Sequence, residues 1–312
     1  MNFIVFPGQG SQKIGMGKKL SDNFTEAKEV FEEVNEALKF NLTKIMWEGS
    51  ESDISLTSNA QPALMACGVA AFKVLSKLKN KNVKQLANFV CGHSLGEYTA
   101  MAVSEVFSLQ NCAVLLRLRG EAMQKAVPVG KGAMLAVLGC EISEVKQFLD
   151  ELKENGVCQI ANDNAPGQII VSGNTSKINE LHKTLKSQKK KAIPLPVSAP
   201  FHCDLMKIAA DKMRDKILST KFNNSLVPLV SNVTANEEKI ENIQKLLIDQ
   251  IFSKVRWRES IINMSKEGVT EYIEIGPGKV LSGLIKRINK DVKSTSINSI
   301  EDIESNFNGI KK

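Results

Sequence analysis

Ala87-Asn88-Phe89-Val90-Cys91 is a compact apolar run, Gly92-His93-Ser94-Leu95-Gly96 follows it, and Glu97-Tyr98-Thr99-Ala100-Met101-Ala102-Val103 has the composition of a helix. The predicted order is strand, sharp turn, helix. Glycines on both sides of Ser94 permit a tight turn and a close approach of helix to strand, so the serine hydroxyl projects clear of the fold. A serine presented in this way is a candidate nucleophile, provided that a base can accept its proton.

Histidine titrates near neutrality and is the natural base. The chain has three. His93 lies inside the turn, where the backbone direction carries its side chain away from Ser94. His182 sits in the lysine-rich segment Leu181-His182-Lys183-Thr184 and reads as a surface residue. His202, in Val197-Ser198-Ala199-Pro200-Phe201-His202-Cys203-Asp204, remains as the candidate base. Between Ser94 and His202 the only aspartates are Asp150 and Asp163, both inside a segment that reads as a separate unit. A serine–histidine pair oriented by a neutral carbonyl is therefore expected, with no acid in the third place. The oxyanion that forms on attack needs two N–H donors. Leu95, next after the nucleophile, supplies one, and the glycine-rich turn around Gln9 is the candidate for the other. Arg117 and Arg119 both offer the planar fork that suits a carboxylate.

Residues 2–6 read as a buried strand that ends in Pro7-Gly8-Gln9-Gly10-Ser11-Gln12, and Gln61 to Lys79 as a long buried helix. Between about 130 and 197 the predicted order is strand Gly132–Leu138, helix Ser143–Glu154, strands Val157–Ala161 and Gln168–Ser172, helix Ser176–Ser187 and strand Ala192–Val197. That βαββαβ order is ferredoxin-like. The expected fold is α/β: a parallel-sheet, hydrolase-like large domain over 1–128 and 198–312, with a ferredoxin-like small domain inserted at 129–197. Further on, helices are expected near Leu205–Leu218, 239–252 and 257–266 and from Lys279, with strands at Val227–Ser231 and Tyr272–Ile275. The last twenty or so residues are polar and read as a loose tail.

The 312 residues are 43% hydrophobic and 24% charged, ordinary for a globular protein, and no apolar run nears the roughly 20 residues of a membrane span. The opening residues lack the pattern of a signal peptide, so a cytoplasmic location is expected. Six cysteines stand singly, without the spacing of a zinc site or a disulfide framework. Buried thiols and no metal follow. The net charge of +7 comes largely from lysine runs with few aromatics among them, which argues against nucleic-acid binding.

The chain resembles the malonyl-CoA:acyl carrier protein transacylases of fatty acid synthesis, the discrete bacterial type. The likeness rests on FPGQGSQ (Phe6–Gln12), QPALMA (Gln61–Ala66), GHSLGEY (Gly92–Tyr98), RGEAM (Arg119–Met123), NDNAPGQIIVSG (Asn162–Gly173), LPVSAPFHCDLM (Leu195–Met206), Gln250–Trp257 and EIGPGKVLSGL (Glu274–Leu284). It implies Ser94 as nucleophile, His202 as base, Gln250 as the residue whose carbonyl orients the histidine, and Gln9 and Leu95 as oxyanion-hole donors. It assigns Arg119 to the malonyl carboxylate, Asn162 and Asn164 to the cleft lining, and Phe201 to malonyl selection. Ile251-Phe252-Ser253-Lys254 departs from the asparagine-proline wording usual after the glutamine. Malonyl-CoA and an acidic, phosphopantetheinylated acyl carrier protein are the implied partners, with no cofactor, no metal and a monomeric enzyme. A serine hydrolase, a noncatalytic carrier-docking module and a transacylase of polyketide assembly share some or all of these residues.

Overall fold

The computed structural model describes residues 1–153, 155–197 and 199–306. In chain order the strands among them are β1 (Asn2–Phe6), β2 (Phe89–Gly92), β3 (Gly132–Leu138), β4 (Cys158–Ala165), β5 (Gln168–Asn174), β6 (Lys191–Pro194), β7 (Leu229–Val230), β8 (Glu237–Glu238), β9 (Glu271–Ile275) and β10 (Lys293–Ile297). They form two sheets. The larger has the order β10-β9-β1-β2-β7-β8, and all its pairings are parallel except β7 with β8. Phe3, Ile4, Val5 and Phe6 of β1 are all buried, as expected for a central parallel strand covered on both faces. Ile4 and Phe6 join the main hydrophobic core with the helix Thr57–Lys79, while Phe3 and Val5 join a second core with Trp257, Ile261 and Tyr272.

The smaller sheet is antiparallel, in the order β4-β5-β3-β6, with the helices Ile142–Asp150 and Thr175–Ser187. This is the ferredoxin-like order, and it has its own core around Leu135, Val137, Val171, Ile178 and Leu181. It is tied to the rest of the molecule along β4. Asp163 N–H donates to the Val255 carbonyl at 3.0 Å, and Val255 N–H donates to the Ala161 carbonyl at 2.8 Å. The Asp163 carboxylate pairs with Arg258 at 3.0 Å.

The C-terminal end corrects one expectation. Lys293–Ile297 is not tail but strand β10, paired in parallel with β9, and Ile300–Asn306 is a helix whose Ile303 is buried. Lys-Ser-Thr-Ser-Ile has too little apolar content to announce a strand. Its pairing partner is supplied by the fold, and only Ile297 of the five is fully buried. The helix that begins at Thr57 rather than Gln61 carries Pro62 within it, which leaves the Ser58 carbonyl without its usual helical donor. Arg117 fills that vacancy, donating to Ser58 O at 3.2 Å and to Asn59 Oδ1 at 2.5 Å. No helix among the described residues is long and apolar enough to cross a membrane.

Candidate active site

β1 and β2 run side by side, and their C-terminal ends deliver the Pro7–Gly10 turn and the Ser94 elbow to one edge of the sheet. Such an edge is where open α/β sheets bind ligands. Ser94 sits at φ 54° and ψ −110°, a conformation rare for a residue with a side chain. The helix Leu95–Val103 starts immediately after it. A Cβ on Gly92 would lie 1.9 Å from the Gly96 backbone, and one on Gly96 would lie 2.2 Å from the Phe6 carbonyl oxygen. Both positions therefore need glycine for close packing rather than for turn freedom.

Ser94 Oγ lies 2.8 Å from His202 Nε2, and His202 Nδ1 lies 2.9 Å from the Gln250 carbonyl oxygen. A carbonyl can only accept, so Nδ1 bears the proton and Nε2 is left free to accept from the serine. Burial, reinforced by the positive charge of Arg119, pushes the His202 pKa down to about 3, so the imidazole is neutral at physiological pH.

Arg119 is fully buried. Its Nη1 donates to Gln61 Oε1 at 2.8 Å, and its Nη2 donates to both Ser94 Oγ at 3.1 Å and Gln250 Oε1 at 2.9 Å. Its guanidinium also lies over the Tyr98 ring. Arg117, two residues earlier, points elsewhere: it pairs with Glu121 at 2.7 Å and caps the Pro62 vacancy. The geometry thus separates two arginines that the sequence leaves equivalent.

The other expected residues fall into two groups. Gln9 and Leu95 adjoin the elbow. Gly8 packs so closely on His93 that an added Cβ would meet the His93 carbonyl oxygen at 2.8 Å, and Gln9 follows it, its amide 3.4 Å from Thr57 Oγ1. The Leu95 N–H belongs to the first turn of its helix and has no acceptor within it. Asn162, Asn164 and Phe201 do not reach Ser94 by hydrogen bonds. Asn162 is buried and bridges Val255. Asn164 Oδ1 lies 2.9 Å from His93 Nε2, which holds His93 against the small sheet and away from Ser94. Phe201 is buried in the main core, next in chain to His202.

Two residues given no role by sequence reasoning complete the elbow. Asn232 Oδ1 accepts the Ser94 N–H at 2.7 Å, and its Nδ2 donates to the Gly92 carbonyl at 2.7 Å, so one side chain clamps both ends of the turn. Glu97 is buried beneath it and accepts from the Asn232 N–H at 3.1 Å and from Gln250 Nε2 at 2.7 Å. A lone acid in the apolar run Leu95–Val103 was a readable signal for Glu97. Asn232, in a short polar loop after β7, gives none.

This arrangement can activate a serine, hold a carboxylate and stabilise an oxyanion. The sequence profile of the acyl transferase domain matches residues 3–304. Over 314 aligned residues the chain is 44% identical to the malonyl CoA-acyl carrier protein transacylase of Bacillus subtilis strain 168, covering 99% of this chain and 97% of that one. The crystal structure of an acyl-carrier-protein S-malonyltransferase from Bartonella henselae superposes with a TM-score of 0.95 at 45% identity, covering 98% of each chain. A malonyl-transacylase solved with its type II PKS acyl carrier protein superposes at 0.94 with 33% identity, covering 99% of each. With the serine elbow, the carbonyl-held histidine and the buried arginine in one cluster, this chain belongs to the malonyl-CoA:acyl carrier protein transacylase family of acyl transferases.

Proposed function

We propose that the chain transfers the malonyl group of malonyl-CoA to the pantetheine thiol of acyl carrier protein through a malonyl ester on Ser94, for fatty acid synthesis. The observation that carries this reading is the set of three bonds meeting at the serine: Ser94 Oγ to His202 Nε2, His202 Nδ1 to the Gln250 carbonyl, and Arg119 Nη2 to Ser94 Oγ.

In the first half-reaction His202 Nε2 takes the serine proton and Oγ attacks the thioester carbon. The oxyanion is held by the N–H groups of Leu95 and Gln9. Its collapse breaks the C–S bond, and His202 returns the proton to the CoA sulfur. In the second half the carrier's thiol gives its proton to His202 and attacks the ester carbon, the bond from that carbon to Ser94 Oγ breaks, and His202 returns the proton to Oγ. Arg119 reaches Ser94 Oγ itself and so stands where the malonyl unit of a Ser94 ester extends. Its guanidinium pairs there with the free carboxylate. Asn162 and Asn164 contribute to the cleft from the small-domain side, and Phe201 shapes the acyl end.

Residues 129–197 form the inserted small domain and the remainder the catalytic one, a division supported by the separate sheets and cores. Every group in the scheme comes from one chain, so a monomer suffices. The lysine excess suits the phosphates of CoA and an acidic carrier. A cytoplasmic enzyme with reduced thiols accords with six free cysteines. The test is mass spectrometry of the intact protein after incubation with malonyl-CoA. A malonyl adduct is expected on the native chain and on single cysteine variants and none on Ser94→Ala; an adduct that persists on Ser94→Ala sinks the assignment.

A further inference from the structure

The histidine in this site rests on a carbonyl, yet a buried carboxylate lies one residue behind that carbonyl. Gln250 is fully buried and faces four partners. Its carbonyl accepts from His202, its side-chain Oε1 accepts from Arg119 at 2.9 Å, and its Nε2 donates to the Ser94 carbonyl at 3.0 Å and to Glu97 Oε2 at 2.7 Å. A primary amide can turn over and exchange its oxygen for its nitrogen. Turned over here, it would set its oxygen against the Ser94 carbonyl and the Glu97 carboxylate, and its NH₂ against the guanidinium of Arg119. Every contact would then be repulsive.

We propose that Glu97 is a positioning residue for acyl transfer: it fixes the Gln250 amide, and through it His202, Arg119 and the Ser94 elbow, by accepting from Gln250 Nε2 and the Asn232 N–H. The same carboxylate oxygen receives both donors, so it couples the strand-side clamp of Asn232 to the helix that bears Gln250. Among the described residues no cation pairs directly with Glu97. Burial lifts its carboxyl to about 7, against the opposing pull of the Gln250 and Asn232 bonds and the more distant Arg119 charge. What the geometry fixes is the place of one carboxylate oxygen between two N–H donors.

This inference rests on acylation through Ser94, and the experiment separates the two. Single-turnover CoA release from malonyl-CoA and the malonyl adduct are measured for the native chain and for Glu97→Gln, Glu97→Asp, Glu97→Ala and Gln250→Ala, with Glu97→Ala also placed on Gln250→Ala. Circular dichroism and thermal melts report folding. Glu97→Gln keeps an acceptor oxygen at the same reach and retains acylation within about tenfold of native. Glu97→Asp keeps the charge, withdraws the oxygen by one methylene and loses about 10²-fold, the scale of a misplaced catalytic group. Glu97→Ala loses at least as much, and that loss shrinks on the Gln250→Ala background to the part carried by Asn232, because the rest runs through one amide. Should Glu97→Ala not fold, the order of the Gln and Asp variants decides. Aspartate that equals or exceeds glutamine, or an alanine loss undiminished without Gln250, overturns the proposal. A native chain that forms no adduct overturns the reaction scheme instead.

Discussion

Arg119 affects both partners of the reaction. Its charge adds to burial in holding His202 far below the ordinary imidazole value, because a second positive charge beside it disfavours the imidazolium. Removing the guanidinium removes that repulsion, so the His202 pKa must rise. In Arg119→Ala the acid limb of the pH profile for acylation from acetyl-CoA, which needs no carboxylate contact, should move to higher pH. Malonyl transfer should meanwhile lose about 2–5 kcal/mol of transition-state binding, as when one member of a buried charge pair is truncated. Acetyl transfer at neutral pH should fall much less. Equal losses for both thioesters, with the acid limb unmoved, would make Arg119 a structural residue. At this scale the sequence disclosed what chemistry demands. The contacts now seen around Ser94 were legible in part: the projecting serine from its glycines, the histidine beside it by elimination among three, and the carbonyl behind that histidine from the lack of a usable aspartate. Gln250 could be named only through family likeness. Asn232 was invisible, because nothing local marks an asparagine whose partners lie about 140 residues away.

Among elements, the elbow shows why some features were readable and others were not. A glycine that packs against backbone must be glycine wherever the chain goes next, so Gly92 and Gly96, with the apolar run before them and the helix-forming run after, announce strand-turn-helix. Gly96→Ala tests the packing directly, since its new methyl group meets the backbone carbonyls of Phe6 and Pro7. A destabilisation of about 1–3 kcal/mol is expected in urea unfolding, the usual cost of overpacking, together with loss of the Ser94 adduct. Native stability and activity in that variant would mean that the helix Leu95–Val103 does not press on β1 as described. The small sheet was read nearly strand for strand, because each strand is bounded by a helix or a tight turn of its own. β10 was not, because a strand of lysine, serine and threonine is made by its neighbour β9 rather than by its own composition. Pro62 is an intermediate case: it falls inside a helix that was read, but the arginine that makes it tolerable comes from another one.

At the level of the whole molecule, the two sheets meet where β4 passes Val255 and where Asp163 faces Arg258. Only 1% of the Asp163 side chain is exposed, against 18% for Arg258, so the acid depends on this partner. Burial nonetheless outweighs the guanidinium and leaves the Asp163 carboxyl above its ordinary pKa. Arg258→Ala should therefore cost about 3 kcal/mol in urea unfolding, the low end for a buried pair that loses one member. Asp163→Asn, which leaves behind the more exposed Arg258 with Glu141 still in reach, should cost less. A change of less than about 0.5 kcal/mol for Arg258→Ala would show that the backbone bonds to Val255 hold the sheets together unaided.

The bonds around Ser94 also impose an order in time. Its donors and acceptors come from residues 119, 202, 232 and 250, on both sides of the inserted unit. A chain emerging from the ribosome carries Ser94 early and acquires the last partner only when about four-fifths of it has been made. The imidazole of His202 arrives after about two-thirds of the chain and the carbonyl that orients it only at that last step, so a half-made chain meets CoA thioesters as a bystander.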